Sequence, residues 1–162
     1  MFRIRFFSLQ LAAIALFASF AFPQQPTPSP TPTPMATPPT EPVYKEYRGV
    51  SIGMGVAEAR AALGTARSKG PRQDFYVFSE KETAQVFYRD GKVSALSVDY
   101  VGSDSGAPSP MEVLGIEIKP KKNGSMYRLI RYPSAGYWIS YNRTAQKNPT
   151  ISITMRKLAV VR

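Results

Sequence analysis

The chain has no cysteine and no histidine. Without cysteine there is no disulfide framework and no residue to carry a lipid. Without histidine the usual general base near neutral pH and the commonest metal ligand are missing. Ser-His and Cys-His nucleophile pairs are excluded with them. No Ser-x-x-Lys occurs, and the nearest look-alike, Thr154-Met155-Arg156-Lys157, falls on an alternating strand pattern. A membrane-length apolar run is also lacking. Phe6 to Phe17, interrupted by Ser8 and Gln10, is shorter than the roughly 20 residues that span a bilayer. Acidic residues are scarce in one half only. Residues 43–107 hold 9 Lys+Arg against 8 Asp+Glu, a net of +1, and residues 108–162 hold 10 against 2, a net of +8.

What is present begins with an address. Arg3 and Arg5 precede the apolar run, and Ser19-Phe20-Ala21 puts small residues at both positions needed for a cut after Ala21. Residues 1–21 therefore read as a secretory signal peptide, with an uncleaved N-terminal anchor as the alternative and the only route to a membrane. Phe22 to Pro42 then holds nine of the fifteen prolines. Each proline fixes φ and removes a donor, so residues 22–42 read as a disordered Pro/Thr-rich linker in polyproline II. At about 3.1 Å per residue it would reach roughly 65 Å. The expected setting is outside the cytoplasm, in the periplasm or at the cell surface of a bacterium. That setting argues against nucleic acid as a partner.

The remaining residues suffice for one domain with a core. Residues 43–107 read as a helix-plus-hairpin unit, and 108–162 as the basic, strand-rich second half of the same domain. Tyr44 to Ile52 leads in as a short strand. Gly53-Met54-Gly55 is a turn, and Val56 to Leu63 is a helix closed by Gly64. Val56, Ala59, Ala62 and Leu63 are its expected inner face. A nucleotide-loop reading of Gly53-x-Gly55 fails, because no buried strand precedes it and no third glycine follows. Phe75 to Phe78, Thr83 to Tyr88 and Lys92 to Val101 read as strands, the last two joined at Asp90-Gly91. A strict two-residue turn pairs Tyr88 with Val93 and Val86 with Ala95, leaving Leu96, Val98 and Tyr100 on the wrong face. A one-residue bulge between Val93 and Leu96 would restore one buried face. Ser109-Pro110-Met111-Glu112 is a capping box, although Val113 to Lys119 can also be read as strand. Met126 to Tyr132, Tyr137 to Tyr141 and Thr150 to Met155 complete the strands. The fold class expected is α+β, one or two helix-plus-antiparallel-sheet units in two layers.

Gly53-Met54-Gly55-x-x-Glu58-x-x-x-x-Leu63-Gly64 and Tyr88-Arg89-Asp90-Gly91-Lys92-Val93 together resemble the SmpA/OmlA (BamE-like) domain. The match covers residues 49 to 101. The related β-lactamase-inhibitor-protein fold carries two such units in tandem, and residues 109 to 157 would be a second, degenerate one. The resemblance implies a small bacterial envelope domain that binds proteins and is not an enzyme. The chain departs from that family in lacking the lipidated cysteine and in having Gly55 where serine is usual.

Two functions follow. The first is a binding module on a Pro-rich stalk, for an envelope protein or an anionic envelope polymer or lipid. Its candidate surface is Lys121, Lys122, Arg128, Arg131, Tyr137, Trp138, Tyr141 and Arg143, with Tyr132 nearby, because Tyr, Trp and Arg dominate interface energetics. Along the strand at 137–141, Trp138 lies on one face and Tyr137, Ile139 and Tyr141 on the other. The second set is favoured as buried. The second function is an envelope hydrolase using a carboxylate pair drawn from Glu80, Glu82, Asp99 and Asp104. No cofactor or metal is expected. Envelope-purified protein should have an intact mass that starts at Phe22, and a soluble cytoplasmic chain retaining Met1 would reject the export reading.

Overall fold

The computed structural model describes residues 37–103 and 105–159. The signal segment, the linker as far as residue 36, and Asp104 lie outside the described residues. A small hairpin comes first, β1 (Glu46–Tyr47) and β2 (Val50–Ser51), where a single lead-in strand was expected. Helix α1 (Val56–Leu63) follows. Strands β3 (Ser68–Lys69), β4 (Gln73–Val77), β5 (Glu82–Arg89) and β6 (Lys92–Val101) then form an antiparallel meander. The pattern repeats in shorter form. Helix α2 (Pro110–Leu114) precedes β7 (Met126–Tyr132), β8 (Tyr137–Arg143) and β9 (Thr150–Lys157). The two meanders join through their last strands into one seven-stranded sheet, ordered β3-β4-β5-β6-β9-β8-β7. The α+β expectation holds at this level.

Strand alternation gives the sheet two unlike faces. One face carries Val86, Leu96, Met155 and Ile139 in register across four strands, all buried. Ala59 and Leu63 of α1 and Val113 and Leu114 of α2 belong to the same buried cluster, so both helices cover this face. Ala62 is exposed rather than inward, the contact being made by buried Ala59 and Leu63 with half-buried Val56 packed beside them. The strand reading of Val113 to Lys119 does not form. Ser109 Oγ accepts from the Glu112 amide (3.3 Å), Glu112 accepts from the Ser109 amide (2.7 Å), and left-handed Gly115 stops the turn. The packed unit also starts before Val43. Pro42 is buried, and Glu41 accepts from the Ser134 hydroxyl at 3.0 Å.

The two sequence motifs singled out above meet in the fold. Gly53 donates to the Val93 carbonyl (2.9 Å), Val93 to Met54 (2.8 Å), and Val56 to Gly91 (3.2 Å). The turn that launches α1 is thus hydrogen-bonded to the tip of the β5–β6 hairpin. That tip has Asp90 and Gly91 at φ 53° and 71°, the left-handed pair a two-residue turn needs. Tyr88 pairs with Val93 as expected, but Phe87 then pairs with Ala95 and Val86 with Leu96. Ser94 is the extra residue. This bulge keeps Val93, Leu96, Val98 and Tyr100 on the buried face.

One ion pair ties α1 to the sheet. Asp74, fully buried on β4, accepts from Arg60 Nε (2.8 Å) and Nη2 (3.0 Å), from the Tyr88 hydroxyl (2.8 Å) and from the Gly70 amide (3.1 Å). Burial alone would push the carboxyl up, but the bonds from Arg60, Tyr88 and Gly70 outweigh it and hold Asp74 below its ordinary value. A depressed carboxyl stabilises the fold above its unfolded value, near pH 4, and that stability is lost as pH falls through the lower folded value. Urea midpoints should therefore drop on acidification below about pH 4. Asp74→Asn should be less stable at neutral pH yet lose less on acidification. An unchanged acid limb in that variant would reject the assignment. Leu63→Ala should cost about 2–5 kcal/mol by the same measurement.

Candidate functional site

The face opposite the helices holds the site. Its register places Phe87 (β5), Ala95 (β6), Arg156 (β9), Trp138 (β8) and Arg131 (β7) in one transverse row. Strands lie about 4.8 Å apart, so Phe87 and Trp138, three strands apart, are separated by roughly 14 Å at the backbone. Between them in the row lie Ala95 and the exposed Arg156, and Ser97 and Thr154 form the low floor beside them. The result is a trough of about 1140 Å³ at the hairpin end of the sheet, with Leu158 and Ala159 forming part of its wall.

The bulge at Ser94 builds this site as well as the core. By absorbing one residue it brings Ala95, rather than Ser94, opposite Phe87. The Ser94 hydroxyl donates to the Phe87 carbonyl at 3.1 Å. Ser97 and Thr154 share a hydrogen bond of 3.0 Å across the β6–β9 junction. These floor hydroxyls are occupied with one another or with backbone. Outward, the row presents half-buried Phe87, buried Ala95, exposed Arg156 and half-buried Trp138.

The trough is strongly cationic. Arg72, Arg89, Lys92, Arg156 and Lys157 line it, against Asp90 as the lone acid among its lining residues. All five cations are exposed, so they act through field and encounter more than through fixed pairs.

The residues nominated from sequence divide. Arg131 and Trp138 stand directly opposite each other on the open face, and Trp138 lines the trough. Tyr137 and Tyr141 leave the candidate surface. They are 8% and 3% exposed and point, with Ile139, into the helix-covered core. Their hydroxyls are pushed up by burial, with Glu41's charge adding to the effect at Tyr137. Tyr132 is buried beside Tyr137. Arg128 is half-buried and pairs with Tyr141, on the covered face. Arg143 shares that face and donates to the Gly124 carbonyl at 3.3 Å, near the exposed Lys121–Gly124 turn. Lys121, Lys122 and Arg143 therefore gather around that turn, remote from Trp138.

Residues that matter here were overlooked in the sequence. Phe87 is an aromatic between outward-facing Gln85 and Arg89, and that alternation was a usable signal. Arg156 follows the buried Met155 in the same way. Nothing local signals Arg72 and Lys92, which reach the trough through the turn and hairpin geometry.

The four candidate carboxylates are not assembled into an acid pair. Glu80 is exposed in a turn. Glu82 is engaged by the Tyr47 hydroxyl (2.8 Å) and by Arg48 (2.8 Å) on the covered face. Burial, then the charge of Glu82, pushes the adjacent Tyr100 up to about 12. Asp99 lies on the opposite face, bonded by the Ser152 hydroxyl, and Asp104 lies outside the described residues. Among the described residues, no group of three or more His, Cys, Asp or Glu is placed to hold a metal ion, and no helix is long and apolar enough to cross a membrane. No family model, no curated protein and no solved structure matches the chain.

Proposed function

We propose that this is an exported, non-enzymatic binding module of the bacterial envelope, carried on a Pro-rich stalk, that holds an anionic macromolecular partner in the open-face trough. The observation that carries the reading is the trough itself, which combines the aromatic side chains Phe87 and Trp138 with five cations and one acid. Aromatic groups interleaved with arginine are the arrangement of a recognition surface, the rings supplying contact area and the charges steering encounter. The resemblance to the SmpA/OmlA domain supports the same class of function. The turn-and-helix motif and the hairpin motif that carry it are hydrogen-bonded to each other. The helix-then-meander order, occurring twice about the β6–β9 junction, supports the tandem arrangement of the β-lactamase-inhibitor-protein fold.

Retention on envelope extracts tests the reading. The Debye length falls from about 10 Å at 0.1 M to about 3 Å at 1 M salt, so retention should fade over that range. Arg89→Glu with Arg156→Glu should abolish retention at low salt. Lys121→Glu with Lys122→Glu should slow association slightly and leave dissociation unchanged, because those residues lie outside the trough. Retention indifferent both to salt and to the Arg89 and Arg156 reversals would overturn the proposal.

A further inference from the structure

The partner can be narrowed by asking what this trough satisfies and what it leaves unpaired. The serine and threonine hydroxyls are used internally, Ser97 with Thr154 and Ser94 with the Phe87 carbonyl, so the cations are the principal donors. A neutral glycan would leave the charge of those cations uncompensated. An anionic lipid surface would compensate the charge, and the vesicle arm of the test below separates it from a polypeptide. A polypeptide can meet both the aromatic groups and the charge. Its apolar side chains can lie on Phe87, Ala95 and Trp138, its backbone stays open to water on the outward side, and its carboxylates reach Arg72, Arg89, Lys92, Arg156 and Lys157.

We infer that the trough's occupant is an acidic polypeptide segment with apolar anchor residues, its carboxylates paired to the arginine and lysine rim. The inference rests on the binding-module reading and names the chemistry of its partner. Charge complementarity commits it to one sign, since the lining carries a net of +4 from five cations and one acid.

Trp138 is the sole tryptophan of the chain and lines the trough, so its emission reports on occupancy. The probe is a short soluble peptide with a central Phe and Leu flanked by Glu, titrated into the folded protein. Parallel titrations use the same peptide with Lys for Glu, polyglutamate, phosphatidylglycerol vesicles and polygalacturonate. The acidic peptide should shift Trp138 emission saturably, while the lysine version and polyglutamate give no saturable shift. Arg89→Glu, Arg156→Glu and Phe87→Ala should each weaken binding by about tenfold or more. These side chains lie on the open face, and circular dichroism of each variant should match the parent. Lys121→Glu with Lys122→Glu should leave the equilibrium within about threefold, although its charge change is twice that of either single arginine reversal, because it does not touch the trough. A saturable shift with vesicles or polygalacturonate and none with the peptide would overturn the inference, as would peptide binding unaffected by Arg89→Glu. If the peptide fails while reversal of Arg89 and Arg156 still abolishes extract retention, the occupant is wrong and the module reading stands. If extract retention is also unaffected, both fall.

Discussion

The pairing of β6 with β9 is the contact on which the architecture depends. Each helix with its meander is too small to bury both a helix stripe and a sheet face by itself. Joining the two meanders edge to edge gives one broad sheet, and the helices then share a continuous core that includes Leu96, Val98, Ile153 and Met155. The same pairing removes two exposed strand edges, which would otherwise invite association with other chains. It also sets Ala95 opposite Arg156 and Ser97 opposite Thr154. Without that register, Phe87 of one meander and Trp138 of the other would share no surface.

The two faces are held to different standards. On the covered face the two engaged carboxylates are fully bonded: Asp74 receives Arg60, Tyr88 and Gly70, and Glu82 receives Tyr47 and Arg48. These bonds fix α1 and the first hairpin against the sheet. A buried carboxylate without them would be costly. On the open face the pattern reverses. Phe87 and Trp138 stand on the strands that flank the β6–β9 junction, and between them small Ala95, Ser97 and Thr154 share the two central strands with the exposed Arg156. The packing that makes one face rigid thereby presents the other as a fixed, shallow mould.

A single local feature serves both faces. The Ser94 bulge realigns β6 so that Val93 and Leu96 both point inward, and the same shift brings Ala95 beside Phe87 on the outside. The hairpin tip that follows from this geometry is braced by the turn before α1 through Gly53, Met54 and Val56. Gly53 is used at φ 92°, a conformation few other residues adopt, so the brace depends on that glycine. Core packing, helix placement and trough shape are therefore coupled at one end of the sheet.

What the sequence determined by itself was local. Asp90-Gly91 dictated a tight turn and the conflict between Val93 and Leu96 demanded a bulge, while Ser109-x-x-Glu112 offered a capped helical turn that competed with a strand over Val113 to Lys119. Alternation in β8 settled that Tyr137, Ile139 and Tyr141 share a face opposite Trp138. These features act over a few residues, through backbone sterics and periodicity, so one strand's text suffices. The candidate surface was only partly legible, because grouping Tyr137, Tyr141, Arg128 and Arg143 with Trp138 used nearness in sequence. Alternation puts them on the covered face. Which strands become neighbours was decided only in three dimensions. The β6–β9 junction unites residues 49 to 61 positions apart, and it is selected by burying a shared core, not by any propensity of β6 or β9 alone. The trough is a consequence of that choice, which is why Phe87 and Arg156 acquire a common role only in the folded sheet.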